Sequence, residues 1–108
     1  MELRGLLRRF VSESTGIQVL EKSGGELVGT LIDLNQKGFR LTTKQSFKPG
    51  NTLEGLIQDT EDETKPEMIP VTARCVWKNG AECGFAILDV PMSHESRLDR
   101  LIDRLANG

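Results

Sequence analysis

The middle of the chain alternates between apolar and polar residues in short runs, and turn-forming residues separate these runs. A period of two places successive side chains on opposite faces of a strand, so each run predicts a strand with one buried face. The predicted strands cover residues 17–21, 26–34, 39–43, 52–58, 71–77 and 83–89. Short strands at such frequent spacing are typical of an antiparallel sandwich or barrel.

The alternation also predicts which residues share a face. In the second run, Val28, Thr30, Ile32 and Leu34 are expected on one face, and Leu27, Gly29, Leu31 and Asp33 on the other. In the fifth run, Val71, Ala73, Cys75 and Trp77 are expected to face together.

Three turns are predicted between the strands. Asn79-Gly80 is the strongest hairpin signal in the chain. The segment 35–38 is expected to turn because Asn favours turns and because Gly38 can take the positive φ that closes one. The segment 48–51, which contains Pro and Gly, predicts a third turn, and an acidic loop is expected to end near Pro70.

After Pro91 the period changes from two to 3.6. The apolar residues that recur at helical spacing are Leu98, Leu101, Ile102 and Leu105. Ser93 is a candidate N-cap. We expect this helix to pack on the barrel or to cover one of its ends, with a dimerisation helix as the alternative.

Length and composition indicate one folded domain. The chain has 108 residues, of which 37% are hydrophobic and 28% charged. No apolar run approaches the roughly 20 residues that cross a bilayer, and the first ten residues do not resemble a signal peptide. We therefore expect a cytoplasmic protein without membrane insertion. The net charge of −2 and the few aromatic residues disfavour a nucleic-acid-binding barrel.

Catalytic chemistry has little support in the sequence. The single histidine, His94, has no nucleophile partner, and no phosphate-binding loop is present. Cys75 and Cys83 are too few for a metal cluster or a disulfide framework and are expected to be small apolar residues. The acidic run 59–64 is expected to be a solvated loop. The sequence therefore predicts a protein that is not an enzyme and needs no cofactor.

Two groups of residues could bind a ligand. The first is the Arg4-x-x-x-Arg8 spacing with the adjacent Arg9. The planar guanidinium can make paired hydrogen bonds to guanine and to phosphate. The alternative is an amphipathic terminal helix, since the apolar residues of this segment also recur at helical spacing: Leu3, Leu6, Leu7 and Phe10.

The second group lies where the second predicted strand turns into the third. Asp33 could accept hydrogen bonds from guanine N1 and N2, and Asn35 could donate or accept. Gly38 would let the backbone turn and leave room for a ligand. The alternative is an ordinary turn in which an Asn side chain bonds to the backbone.

Together these two groups resemble the PilZ family, whose pattern is Arg-x-x-x-Arg followed by Asp/Asn-x-Ser-x-x-Gly. The segments 71–77 and 83–88 also resemble the family's late strand pair, so the resemblance covers nearly the whole chain. It implies a mainly all-β fold: a six-stranded antiparallel β-barrel with a C-terminal α-helix. The expected organisation is a flexible arginine-bearing segment over 1–13, the barrel over 14–91 and a packed helix over 92–108.

The resemblance also implies roles for individual residues. Arg4 and Arg8 would grip the guanine and phosphate groups of cyclic di-GMP, with Arg9 as an adjacent candidate. Asp33 and Gly38 match the ends of the second motif, whereas Asn35 replaces the family's serine. A lost contact at that position would cost about 1 kcal/mol of affinity.

Two further residues are candidates by the same resemblance. Arg40 could reach a phosphate, the alternative being a solvated face, and Trp77 could stack on a guanine, the alternative being the core.

The implied function is that of a bacterial, cytoplasmic receptor. Cyclic di-GMP would order the arginine segment over the barrel, and the new surface would signal to an unidentified protein partner. The alternative is a nucleotide-independent PilZ-type protein-interaction module, in which Arg8 would not matter for partner binding.

Overall fold

The computed structural model describes residues 9–10, 17–60 and 64–107, with only the backbone described for 9, 10 and 107. The strands are β1 Arg9–Phe10, β2 Gln18–Glu21, β3 Leu27–Asn35, β4 Gly38–Thr43, β5 Thr52–Asp59, β6 Glu67–Asn79 and β7 Glu82–Asp89. A short 3₁₀ helix, Met92–His94, leads into helix α1, Glu95–Asn107. The fold is therefore mainly β, as the sequence predicts.

Within the described residues, six strands form a closed antiparallel ring. The order around the ring is β3, β2, β5, β6, β7 and β4, and β4 pairs back onto β3. The remaining strand, β1, pairs with Asp33 and Leu34, whereas β2 pairs with residues 27–30 of β3. Because β4 occupies the other edge of β3, β1 and β2 must share one edge. The six-stranded barrel expected from the sequence is confirmed.

The apolar stripe of helix α1 packs against the barrel of the same chain. Leu98, Leu101 and Ile102 are buried in the same core as the inward side chains of the strands, and Leu105 packs against that core. The helix lies at the end of the barrel where β5 ends and β6 begins, since Arg104 pairs with Asp59 and Arg97 pairs with Glu67. The predicted stripe is confirmed, and it is not left exposed for a second copy.

Two of the three predicted turns are confirmed. Gly80 has a φ of 63° and occupies the first position of the two-residue loop between β6 and β7, as in a type II′ hairpin turn. Gly50 has a φ of 99°, and Asn51 donates its backbone N–H to the Lys48 carbonyl at 3.0 Å.

The predicted alternation along β3 is wrong in both halves. In the first half, the pairing with β2 skips Val28, which lies in the core together with Leu31 although the two were expected on opposite faces. A bulge between Leu31 and Asp33 inserts one extra residue into the pairing with β4. Leu31 and Leu34 are consequently both in the core, although they were expected on opposite faces. A bulge results from pairing with another strand, and no pattern within one strand announces it.

Two other boundaries differ from expectation. Strand β6 starts at Glu67, four residues before its predicted start, and it includes Pro70. Pro70 pairs with Leu56 of β5, whereas the pairing of β6 with β7 begins only at Thr72. The N–H that Pro70 lacks is therefore not needed for a hydrogen bond between β6 and β7. Ser93 lies within the 3₁₀ helix, which follows Pro91 and has no side-chain cap.

The segment 1–13 falls mostly outside the described residues, so its predicted flexibility stays a prediction. Its described part, β1, is a strand. Among the helices of the described residues, none has the length and apolar character needed to cross a bilayer.

Truncation of Leu101 tests whether α1 is part of the barrel core. Leu101 is fully buried, so Leu101→Ala is expected to lower the free energy of unfolding by about 2–5 kcal/mol. Leu27→Ala, at a residue that is 51% exposed, is the matched control and should change it by less than about 1 kcal/mol. Urea unfolding monitored by circular dichroism measures both, and equal effects would contradict the proposed packing.

Candidate functional site

The turn between β3 and β4 is closed by a side chain. The Asn35 Oδ1 atom accepts hydrogen bonds from the backbone N–H of Lys37 at 2.7 Å and of Gly38 at 3.1 Å. This is the ordinary Asn turn that the sequence left as an alternative. The Asn35 Nδ2 group makes no hydrogen bond with another described residue, so it remains a donor that a ligand could use.

Gly38 is required for a reason other than the expected one. Its φ is not positive, which corrects the prediction made for this turn. A Cβ atom at this position would collide with the carbonyl oxygen of Phe85 on β7. The same strand donates the Ile87 N–H to the Lys37 carbonyl at 2.8 Å. Close approach of β7 to the turn therefore excludes any side chain here.

The bulge in β3 brings Asp33 opposite Arg40. The Asp33 Oδ2 atom lies 3.1 Å from an Arg40 guanidinium nitrogen, and the Asp33 side chain is only 1% exposed. Arg40 lies between two core residues of β4, Phe39 and Leu41, so it points away from the barrel interior. The same guanidinium reaches Glu82 of β7 at 3.4 Å. A buried carboxylate thus holds a partly exposed arginine on the outer surface.

Trp77 lies on this outer surface too. A second bulge, between Cys75 and Trp77, removes Trp77 from the face that it was expected to share with Cys75. The residue is half-buried, and its indole covers Gly84, where a Cβ atom would collide with the ring. Gly84 pairs with Trp77 on one side and with Arg40 on the other. Arg40, Gly84 and Trp77 therefore form one row across β4, β7 and β6.

Most of the predicted site residues gather at one corner. Asp33 and Asn35 on β3 face Gly38 and Arg40 on β4, and Trp77 is two strands further, about 10 Å away at the usual strand spacing.

The arginine segment approaches the same corner. Strand β1 reaches it by the backbone, with Phe10 opposite Asp33 and Arg9 opposite Leu34. Arg4, Arg8 and the side chain of Arg9 lie outside what is described.

Two residues of the corner were not anticipated. Glu82 is the second carboxylate that pairs with Arg40, and Gly84 leaves space for the Trp77 ring. A glycine within the run 83–89 was the available signal for Gly84, since glycine inside a strand often marks close approach by another group. No local pattern points to Glu82, because its partner is 42 residues away.

The comparison with protein families decides the family. The model of the PilZ domain matches residues 7–104. The chain belongs to the PilZ family. PilZ domains are generally cyclic di-GMP-binding modules rather than catalytic ones. The matched span includes Arg8 and the whole β3–β4 turn but begins after Arg4. Comparison with curated protein sequences gives no significant match.

The two cysteines and the possible metal ligands can be assessed among the described residues of this PilZ domain. Cys75 and Cys83 are free thiols in the core, as expected for small apolar residues. Burial, with Cys75 as a further cause, raises the pKa of the Cys83 thiol and keeps it protonated at neutral pH. In the ranges that the structure describes, no three His, Cys, Asp or Glu side chains are grouped to hold a metal ion.

A methyl group at position 38 should separate β4 from β7. Gly38→Ala is expected to lower the free energy of unfolding by about 1–3 kcal/mol, because the added Cβ meets backbone that cannot rotate away. Gly24→Ala is the matched control: the nearest atom to its added Cβ is 4.0 Å away, so no loss is expected. Urea midpoints compare the two, and a neutral Gly38→Ala would contradict the close approach.

The two carboxylates on Arg40 should differ in their contribution to stability. Asp33→Ala removes the buried partner and is expected to cost about 2 kcal/mol, whereas Glu82→Ala, at a 45% exposed side chain, should cost less than about 1 kcal/mol. Thermal unfolding of both variants measures the difference. A larger effect for Glu82 would contradict the assignment of Asp33 as the residue that holds Arg40.

Proposed function

We propose that this PilZ domain binds cyclic di-GMP at the corner between β1 and the β3–β4 turn and passes the signal to a protein partner. The observation that carries the proposal is the pairing of β1 with β3, which brings the arginine-bearing segment beside Asp33 and Leu34. Arg8 is adjacent in sequence to Arg9, whose backbone pairs with Leu34, one residue before Asn35 at the β3–β4 turn. The ligand's guanines and phosphates match this concentration of donors.

Among the described residues, Arg40 is the cation that best suits a phosphate. Its guanidinium is held by Asp33 on the buried side, whereas the contact with Glu82 is longer and exposed. A phosphate oxygen can replace the Glu82 carboxylate without disturbing Asp33. Asp33 already orients Arg40 and partly removes it from water. A phosphate that binds there therefore does not have to orient or desolvate a new cation of the protein.

The role of Asp33 changes in consequence. A carboxylate that accepts from guanine N1 and N2 must be accessible, whereas Asp33 is 1% exposed and ion-paired. We therefore assign Asp33 to positioning Arg40. The donor left available by the turn, Asn35 Nδ2, can reach a guanine carbonyl or a phosphate oxygen instead.

Trp77 provides the aromatic surface of the proposed site. It is the only tryptophan in the chain and lies in the row that continues from Arg40 across Gly84. A guanine placed beside Arg40 could stack on the exposed part of the indole.

Binding would act as a switch in a bacterial, cytoplasmic setting. The arginines of the N-terminal segment meet the nucleotide from one side and the barrel from the other. Ordering the segment costs conformational entropy, which charge-assisted hydrogen bonds and stacking offset. The ordered segment with its nucleotide then forms the surface that a protein partner recognises.

Removal of the Arg8 guanidinium tests the proposed site. Arg8→Ala should weaken cyclic di-GMP binding by about 10- to 100-fold, the equivalent of losing hydrogen bonds to charged groups. Isothermal titration calorimetry measures the affinity, and cyclic di-AMP should bind far more weakly than cyclic di-GMP because its base presents a different donor edge.

Arg100→Ala is the matched control, since Arg100 is an exposed arginine on α1 outside the proposed site. It should leave the affinity unchanged. Absence of saturable heat with the unaltered protein would sink the proposed function. That result would leave the nucleotide-independent interaction module, which the replacement of the family's serine by Asn35 also favours.

A further inference from the structure

Helix α1 carries opposite charges on its two flanks. Beside the buried apolar stripe, helical spacing places Arg97, Arg100 and Arg104 on one flank and Glu95, Asp99 and Asp103 on the other. The basic flank faces carboxylates of the barrel. Arg97 lies 3.2 Å from Glu67, and Arg104 donates to Asp59 at 3.1 Å with a second, shorter hydrogen bond beside it.

The acidic flank faces a cleft of about 370 Å³ at the end of β7. Asp89, Glu95 and Asp99 line this cleft, and none of the three pairs with a cationic side chain among the described residues. Its apolar part is formed by Ile87, Leu88, Val90 and Leu98, and Leu88 is 50% exposed. Gln36, in the turn between β3 and β4, completes the wall.

This combination defines what the cleft would accept. Three carboxylates around one opening repel each other, so a cation between them is stabilising. An apolar floor beneath them favours a cation on an aliphatic stem, or basic residues interleaved with leucines. A polyanion or an acidic peptide is excluded by charge.

The chain itself contains a segment of that chemistry. Residues 1–8 contain Arg4 and Arg8, against one acidic residue, Glu2, and three leucines lie between and beside the arginines.

The direction of β1 is compatible with docking in the cleft. In β1, Phe10 pairs with Asp33 and Arg9 pairs with Leu34, so the start of β1 points toward the end of β3, which leads to Asn35 and Gln36. Eight extended residues span up to about 26 Å, which is enough to cross from the end of β3 to the cleft that Gln36 lines.

We propose that residues 1–8 dock in the acidic cleft between α1 and the end of β7. The Arg4 and Arg8 guanidinium groups pair there with Asp89, Glu95 and Asp99, and the leucines cover the apolar floor. The docking itself does not depend on a nucleotide. Its consequence rests on the proposed function: cyclic di-GMP takes the same arginines, so binding opens an acidic, partly apolar surface for a basic partner.

A nitroxide spin label on the full-length chain tests the docking. The label is attached at Glu2→Cys, and the native Cys75 and Cys83 are 1% and 0% exposed, so they should not react. We expect the amide signals of Leu88, Asp89 and Asp99 to be broadened. A label at Lys22→Cys, in the turn between β2 and β3 at the opposite end of the barrel, is the positional control and should leave these signals sharp.

Neutralising the cleft separates docking from simple proximity. In the variant Asp89→Asn/Glu95→Gln/Asp99→Asn, the label at position 2 should lose most of its broadening of these amides, whereas a tethered but undocked segment would broaden them equally. Unchanged broadening in this variant overturns the proposal. The folded state of the variant is checked by its remaining amide shifts.

Addition of cyclic di-GMP distinguishes this proposal from the proposed function. Release of the broadening on saturation supports both. Charge-dependent broadening without any nucleotide binding keeps the docking and overturns the receptor function. Saturable binding that leaves the broadening intact keeps both sites but overturns their competition for the arginines.

Discussion

The barrel closes because β3 pairs along both of its edges, with β4 on one and with β2 and β1 on the other. Every feature of the corner depends on this strand. Its last residues receive β1, its bulge turns Asp33 outward, and its end forms the turn that Asn35 closes. A shift of one residue in this pairing would exchange Asp33 with a core leucine. The register of β3 therefore fixes both the core and the candidate site.

The bulge explains how a carboxylate can be almost fully buried in so small a protein. Burying an unpaired charge would cost several kcal/mol, roughly as much as a domain of this size gains on folding. Asp33 avoids this cost because the extra residue in β3 sets it opposite Arg40, whose guanidinium remains a quarter exposed. The Asp33 side of the pair is buried, and the Arg40 side is partly accessible to solvent. Such an arrangement favours a binding surface that is oriented before a ligand arrives.

The parts of the fold that local chemistry determines were predictable, and those that depend on pairing were not. Gly80 and the stripe through Leu101 follow from turn chemistry and helical spacing, and both are where the sequence placed them. Trp77 was expected to share a face with Cys75, but a bulge set by β7 moved it to the outside, over Gly84. The sequence placed Asp33, Asn35 and Gly38 where β3 turns into β4, and they lie there, whereas the binding of a ligand at this turn stays a prediction. The pairing of Asp33 with Arg40 was not predicted, because it depends on the bulge in β3, and Arg40 was expected near a phosphate or on a solvated face.

In the proposed docking, the charges of α1 give the position of the arginine segment a role in signalling. The helix satisfies its basic flank with Asp59 and Glu67, which are fixed parts of the barrel. Its acidic flank borders a cleft that Gln36 also lines, and the start of β1 lies beside Leu34, two residues before Gln36. A cation shared between a carboxylate cleft and a phosphate ligand can satisfy only one of them at a time. If both bind the arginines of residues 1–8 as proposed, occupancy of one lowers the affinity of the other, and that coupling is reciprocal.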